Sequence, residues 1–150
     1  MTNVSLKSWL ENGWLVEHRA TAGEIAEVLS VADRDLHDCQ AAGLSPDWKL
    51  NIAYSAVLQA ATAALAAAGY RAVREAHHYR TLQSLAHTVG AAPHLLRRLD
   101  AFRKKRNVGS YQRSGSVSEQ EAQEMVALAR QLREEVTHWL WATHPELMTD

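Results

Sequence analysis

Residues 45–69 read SPDWKLNIAYSAVLQAATAALAAAG, and this stretch decides the fold class. Ser45 can cap a helix that accepts Pro46 in its first turn, where proline's missing N–H costs nothing and its fixed φ already suits the helix. Leu50, Tyr54, Val57, Leu58, Ala61 and Leu65 follow at spacings of three and four, the period of one helical face. Gly69 then supplies a stop. Nine of the 16 residues from Ala53 to Ala68 are alanine. Side chains this small let neighbouring helix backbones approach closely, so the block is expected to be a packed helix of a bundle.

The same punctuation divides the rest of the chain. Upstream, Ser5 to Asn12 carries Leu6, Trp9 and Leu10 at helical spacing before Gly13, a short helix. Thr21 and Glu24 have the spacing of a capping box, and Ile25, Val28, Leu29, Ala32, Leu36 and Cys39 share a face expected to continue until Gly43. Downstream, Val73 to Val89 is expected to be helical, with His78, Leu82, Leu85 and Val89 on one stripe and Gly90 as terminator. Pro93 opens a further helix, with Leu95, Leu96, Leu99 and Phe102 on its apolar side. A polar loop, GSYQRSG at 109–115, precedes a last long helix that Ser116 or Ser118 can cap. Its buried face is expected to hold Ala122, Met125, Leu128, Ala129, Leu132, Val136 and Trp139, with an end near His144-Pro145. The expected fold is all-α, one domain over residues 1–150, an antiparallel bundle of about five principal helices plus the short N-terminal one.

Composition agrees. Of 150 residues 47% are hydrophobic and 22% charged, enough to build a core, and 25 alanines against 7 glycines and 3 prolines favour helix. Cys39 is the only cysteine, which excludes an internal disulfide and a cysteine-based zinc site, suits a reducing cytosol, and leaves core packing as its role. No basic segment precedes an apolar one at the N-terminus, and no uncharged apolar run reaches 18 residues, so a cytoplasmic protein with no membrane partner is expected. The eight histidines show no HExxH spacing, and GxSxG, GxxxxGK[ST] and GxGxxG are absent, so no metal and no cofactor are expected. The five tryptophans lie mostly near helix ends, where packing explains them.

The net charge of -1 conceals a division. Residues 97–113 hold seven basic side chains and one acid, while residues 118–150 hold seven acids and two bases. Such a basic helix end can pair with the acidic last helix, or it can bind phosphate, since Arg forks match phosphate oxygens and loop N–H groups add to them. Arg106 stands apart: stepping from Leu95 through Leu99 and Phe102 reaches it, which places a cation on the buried stripe. An inward cation needs either an acid, with Asp33, Asp35 and Asp38 as candidates, or a ligand.

The segment KKRNVGSY at the end of that helix resembles the signature region of HEPN domains, small helical bundles of defence, toxin and nucleotide-binding proteins. WLENGWLVEH, RDLHDC, LSPDWKLNIAYSAVLQAATAALAAAGYR and AHHYRTLQSLAHTVG extend the resemblance to a bacterial HEPN group over almost the whole chain. The family motif is Arg, a polar residue, three variable positions and His; here Arg106 and Asn107 match, and Tyr111 stands where catalytic members have His. The resemblance implies a metal-independent ribonuclease site assembled across a homodimer, with Arg106, Asn107 and Tyr111 as the catalytic set. Arg103, Lys104, Lys105 and Arg113 would then contact RNA or nucleotide phosphates. It also implies a toxin–antitoxin or defence setting with a minimal nucleotidyltransferase as antitoxin partner, for which Tyr111 is the candidate acceptor of modification. Tyrosine titrates near 10 and is a poor base at neutrality, so His78, Asp35 and Asp38 are candidate accessory groups. The alternative is a catalytically inactive HEPN module that binds a nucleotidyltransferase or a nucleotide.

Overall fold

The computed structural model describes residues 2–109 and 117–148, with side chains for 6–106 and 117–148. In chain order the elements are α1 (Thr2–Glu11), β1 (Leu15–Glu17), α2 (Ala22–Asp38), α3 (Pro46–Ala67), β2 (Tyr70–Ala72), α4 (His77–Gln83), α5 (Pro93–Gly109) and α6 (Glu119–Thr143). Tight single turns at Ser84–Ala86 and Pro145–Leu147 follow α4 and α6. The fold is an all-α bundle with a short N-terminal helix and one two-stranded ribbon.

Helix α3 is the axis. Ser45 accepts a hydrogen bond from the Trp48 N–H at 3.2 Å, Pro46 fills the first turn, and Gly69 leaves the helix with φ 104°, a conformation that an L side chain resists. Twelve of its residues are buried, from Leu50 and Tyr54 to the alanines of its second half. The alanines admit α2 and α6 at close range, and those two helices make the bundle's most extensive contacts with it. By length and composition α3 could also cross a membrane, but its apolar window is mostly covered by neighbouring helices, the situation of a core helix.

The helices around it begin and end for local reasons. Thr21 caps α2 by accepting from the Glu24 N–H at 3.1 Å, while the Glu24 carboxylate bonds His18 Nε2 at 2.7 Å. The helix ends at Asp38, short of the expected Gly43, because the N–H groups of Gln40 and Ala41 bond back to His37 and Asp38 in tightened turns. Ser118 caps α6 in a complete capping box: it accepts from the Glu121 N–H while its own N–H donates to the Glu121 carboxylate, each at 3.0 Å. Leu140 joins Ala122, Met125, Ala129, Leu132 and Val136 in the core, whereas Leu128 and Trp139 lie half-buried beside it.

Ion pairs and hydrogen bonds set the directions. Asp35 of α2 meets Ser55 of α3, Lys49 near the start of α3 meets Glu119 at the start of α6, and the turn at Pro145–Leu147 beyond α6 packs on α2, where Leu147 and Ile25 line one cleft. Helix α2 therefore runs against both α3 and α6. Helix α5 crosses the start of α6, tied by Arg98–Glu124 and by Lys105–Glu121 at 3.1 Å.

The segment from Val73 to Val89 departs from the expected single helix. Residues 70–72 pair antiparallel with β1 in the register Leu15–Ala72, Val16–Arg71 and Glu17–Tyr70, and the Val73 N–H extends the ribbon by bonding the Trp14 carbonyl at 3.0 Å. Strand pairing holds residues 70–72 in extended backbone, which excludes helical dihedrals over that stretch. Helix α4 begins only at His77, behind Ala76, whose φ of 54° and ψ of 32° put a residue with a Cβ in the left-handed region. Leu15 and Ala72 of the ribbon, with Leu6 and Leu65, form a small second core on which Trp9 and Leu10 pack.

Candidate functional site

Helix α5 delivers Arg106 by simple periodicity. Leu99 and Phe102 are 0% and 4% exposed, and one turn later the same stripe reaches Arg106 at the rim of the core. Its guanidinium carbon lies 5.1 Å from the centroid of the Tyr54 ring, a cation over an aromatic face. Its Nε is buried and makes no hydrogen bond among the described residues.

Tyr54 is 1% exposed, and its hydroxyl is 3.4 Å from His78 Nδ1, a long contact that nonetheless links α3 to α4. The rings of His77 and His78 stand edge to face at 5.9 Å. Burial pushes the His78 pKa below its ordinary value, and the positive charges of Arg106, His77 and Arg103 push it the same way. Burial raises the Tyr54 phenol to about 12 against the opposing pull of Arg106 and Arg103. At neutral pH the site therefore holds a neutral imidazole, an intact phenol and a permanent cation. When the Nδ1 proton points at the Tyr54 oxygen, Nε2 carries the free lone pair, which is the arrangement of a general base.

A second rank of groups lies on the adjoining faces of α4 and α5. Arg103 bonds Asp100 at 2.8 Å and stands 5.5 Å from the centroid of Tyr79, while Lys104 reaches the same carboxylate at 3.5 Å. Tyr79, Gln83, Arg97, Asp100 and Lys104 line a cleft of about 490 Å³ between the two helices.

Of the residues singled out from the sequence, Arg106 and His78 meet around Tyr54, and Arg103 stands close enough to act on His78 and Tyr54. Lys104 is exposed beside Asp100, and Lys105 is turned to Glu121. Of the two alternatives for Arg106, the acid is not found among the described residues: Asp33 pairs with Arg133 at 2.9 Å, Asp35 accepts from the Ser55 hydroxyl at 2.8 Å, and Asp38 is exposed. The side chain of Asn107 and all of Tyr111 and Arg113 lie outside the described residues, as does most of the expected loop. Pairing of the basic helix with the acidic one is realised in part, through Arg98 and Lys105. Cys39 is fully buried, its thiol donates to the Leu36 carbonyl at 3.3 Å, and burial raises its pKa, which fits core packing.

Nothing in the sequence spacing marks Tyr54 or Tyr79 as a site residue. Tyr54 falls on an apolar face where an aromatic ring reads as core, and the only signal is that a buried hydroxyl must find a partner. Among the described residues no cluster of three His, Cys, Asp or Glu side chains could hold a metal ion. No protein-family model, curated protein or solved structure matches the chain.

Proposed function

We propose that the chain is a HEPN-type helical module of a toxin–antitoxin or defence system, acting in the cytoplasm as a homodimer, that binds RNA phosphate through Arg106 and cleaves the strand without a metal. The observation that supports this reading best is an inward cation that meets no acid, and whose buried Nε–H meets no acceptor, among the described residues, placed beside a neutral histidine. A phosphodiester is the ligand that answers both: it carries the charge that Arg106 lacks, and it brings the 2′-hydroxyl that a neutral His78 can deprotonate. In that step the 2′-oxygen bonds to phosphorus as its proton passes to His78. The bond from phosphorus to the 5′-oxygen breaks, and the leaving oxygen takes a proton from solvent. Arg106 opposes the charge that builds on the phosphoryl oxygens.

The test is incubation of the purified protein with an end-labelled single-stranded RNA in excess EDTA. Cleavage leaving 2′,3′-cyclic phosphate ends is expected, with Arg106→Ala and His78→Ala each reducing the rate roughly 100-fold or more. Cleavage that Arg106→Ala leaves unchanged removes the proposed mechanism. Tyr111, in the motif position of a catalytic His, favours a second reading, an inactive module that presents the same cleft to a nucleotidyltransferase or a nucleotide. RNA binding with no cleavage, lost in Arg106→Ala, selects that reading.

A further inference from the structure

RNA phosphate at Arg106 leaves the bases of the strand to be accounted for, and the cleft between α4 and α5 has the chemistry to take one. Tyr79 is 42% exposed although it is a large aromatic residue on a short helix facing α5. A ring has two faces; Arg103 stands over one at 5.5 Å, and Asp100 holds that guanidinium at 2.8 Å. Tyr79 also lines the cleft of about 490 Å³, within the roughly 300–1,000 Å³ usual for small-molecule sites. Leu96 gives the cleft an apolar surface, Gln83 an amide that both donates and accepts, and Arg97 and Lys104 two cations, the second of them paired with Asp100 of the same lining. An exposed aromatic platform flanked by cations is the combination by which proteins hold single-stranded nucleic acid without reading its sequence.

We propose that this cleft is a nucleobase subsite, in which a base of single-stranded RNA stacks on Tyr79 while Arg97, which no carboxylate answers among the described residues, steers the neighbouring phosphate. Arg103, fixed by Asp100, backs the ring and makes it a rigid platform. The inference rests on the reading that Arg106 engages RNA phosphate, and it adds that the ligand is single-stranded and is held by its base as well as its charge.

The experiment compares two fluorescent probes of equal charge on the full chain: an eight-residue oligoadenylate and an abasic ribose-phosphate octamer. Tyr79→Leu is expected to weaken oligoadenylate binding about five- to 100-fold and to leave the abasic probe unchanged, whereas Tyr79→Trp keeps or improves oligoadenylate binding. Far-UV circular dichroism and thermal melting of each variant check folding, and the abasic probe is an internal control because a misfolded variant loses both ligands. Equal oligoadenylate affinity in wild type and Tyr79→Leu overturns the subsite while the phosphate reading stands. Wild-type protein that binds neither probe overturns both.

Discussion

Arg106 and Tyr54 are stacked, with the guanidinium carbon 5.1 Å from the ring centroid, and the pair joins the end of α5 to the first half of α3. The contact contributes on the order of 0.5–2 kcal/mol, while a buried N–H with no partner costs about 1–3 kcal/mol. The two nearly cancel. Arg106 is therefore held at the rim of the core with little net benefit to the fold.

Replacing Arg106 with Leu should accordingly leave stability unchanged or raise it by up to about 1 kcal/mol, because an apolar side chain fills the stripe without stranding a donor. Urea denaturation of the two proteins measures this. A loss of more than about 2 kcal/mol would show that Arg106 is structural.

Tyr54 makes the fold sensitive to alkali. Its pKa rises from 10 to about 12 on folding, so the unfolded chain loses the phenolic proton first, and stability that is full below pH 10 falls as pH climbs from 10 towards 12. The effect is on the order of 2–3 kcal/mol over that window. Ultraviolet titration should show one of the four tyrosines ionising late, and Tyr54→Phe should remove that phase. Four phenols titrating together near 10 in the folded protein would contradict the burial argument.

His78 acts at the other end of the scale. Its folded pKa lies below 6.5, so the unfolded state binds the proton more readily, and stability that is complete above pH 6.5 declines as pH falls towards the folded value. His87, lowered by burial as well, contributes in the same window. The informative measurement is thus a comparison with His78→Asn, whose urea midpoint should fall less between pH 7 and pH 5 than that of the wild type. Parallel curves would place His78 in an environment no different from water.

Ala76 carries a local strain just before the two histidines. A left-handed conformation costs a residue with a Cβ roughly 1–2 kcal/mol, and glycine escapes that cost while losing about 0.4–1 kcal/mol through its freer unfolded chain. Ala76→Gly should stabilise the protein by up to about 1 kcal/mol, visible as a higher melting temperature. A lower one would mean that the turn into α4 is not strained.

The elements legible in the sequence are those whose causes are local. Ser45 with Pro46, Ser118 with Glu121 and the Leu99–Phe102–Arg106 stripe each act within two turns of helix, so spacing alone locates them. The ribbon is illegible because two strands of three residues are too short to show an alternating pattern, and their pairing joins Leu15 to Ala72, 57 residues further along the chain. The same limit applies at the site. Spacing turns Arg106 inward, but whether it meets Asp33, Asp35 or the face of Tyr54 depends on how α5 sits on α2 and α3, which no short pattern encodes.

Helix α5 looks strongly basic on paper, yet Asp100, Glu121 and Glu124 answer four of its cations, Arg98, Arg103, Lys104 and Lys105. Among the described residues only Arg97 and Arg106 of that helix are left without a carboxylate. A polyanion lying along α5 would find most of its counterions already placed by the protein, so few would be released to the solution and the entropy that drives broad, sequence-blind adhesion would be small. The pairing leaves α5 with little of the loosely balanced charge on which broad adhesion to polyanions depends.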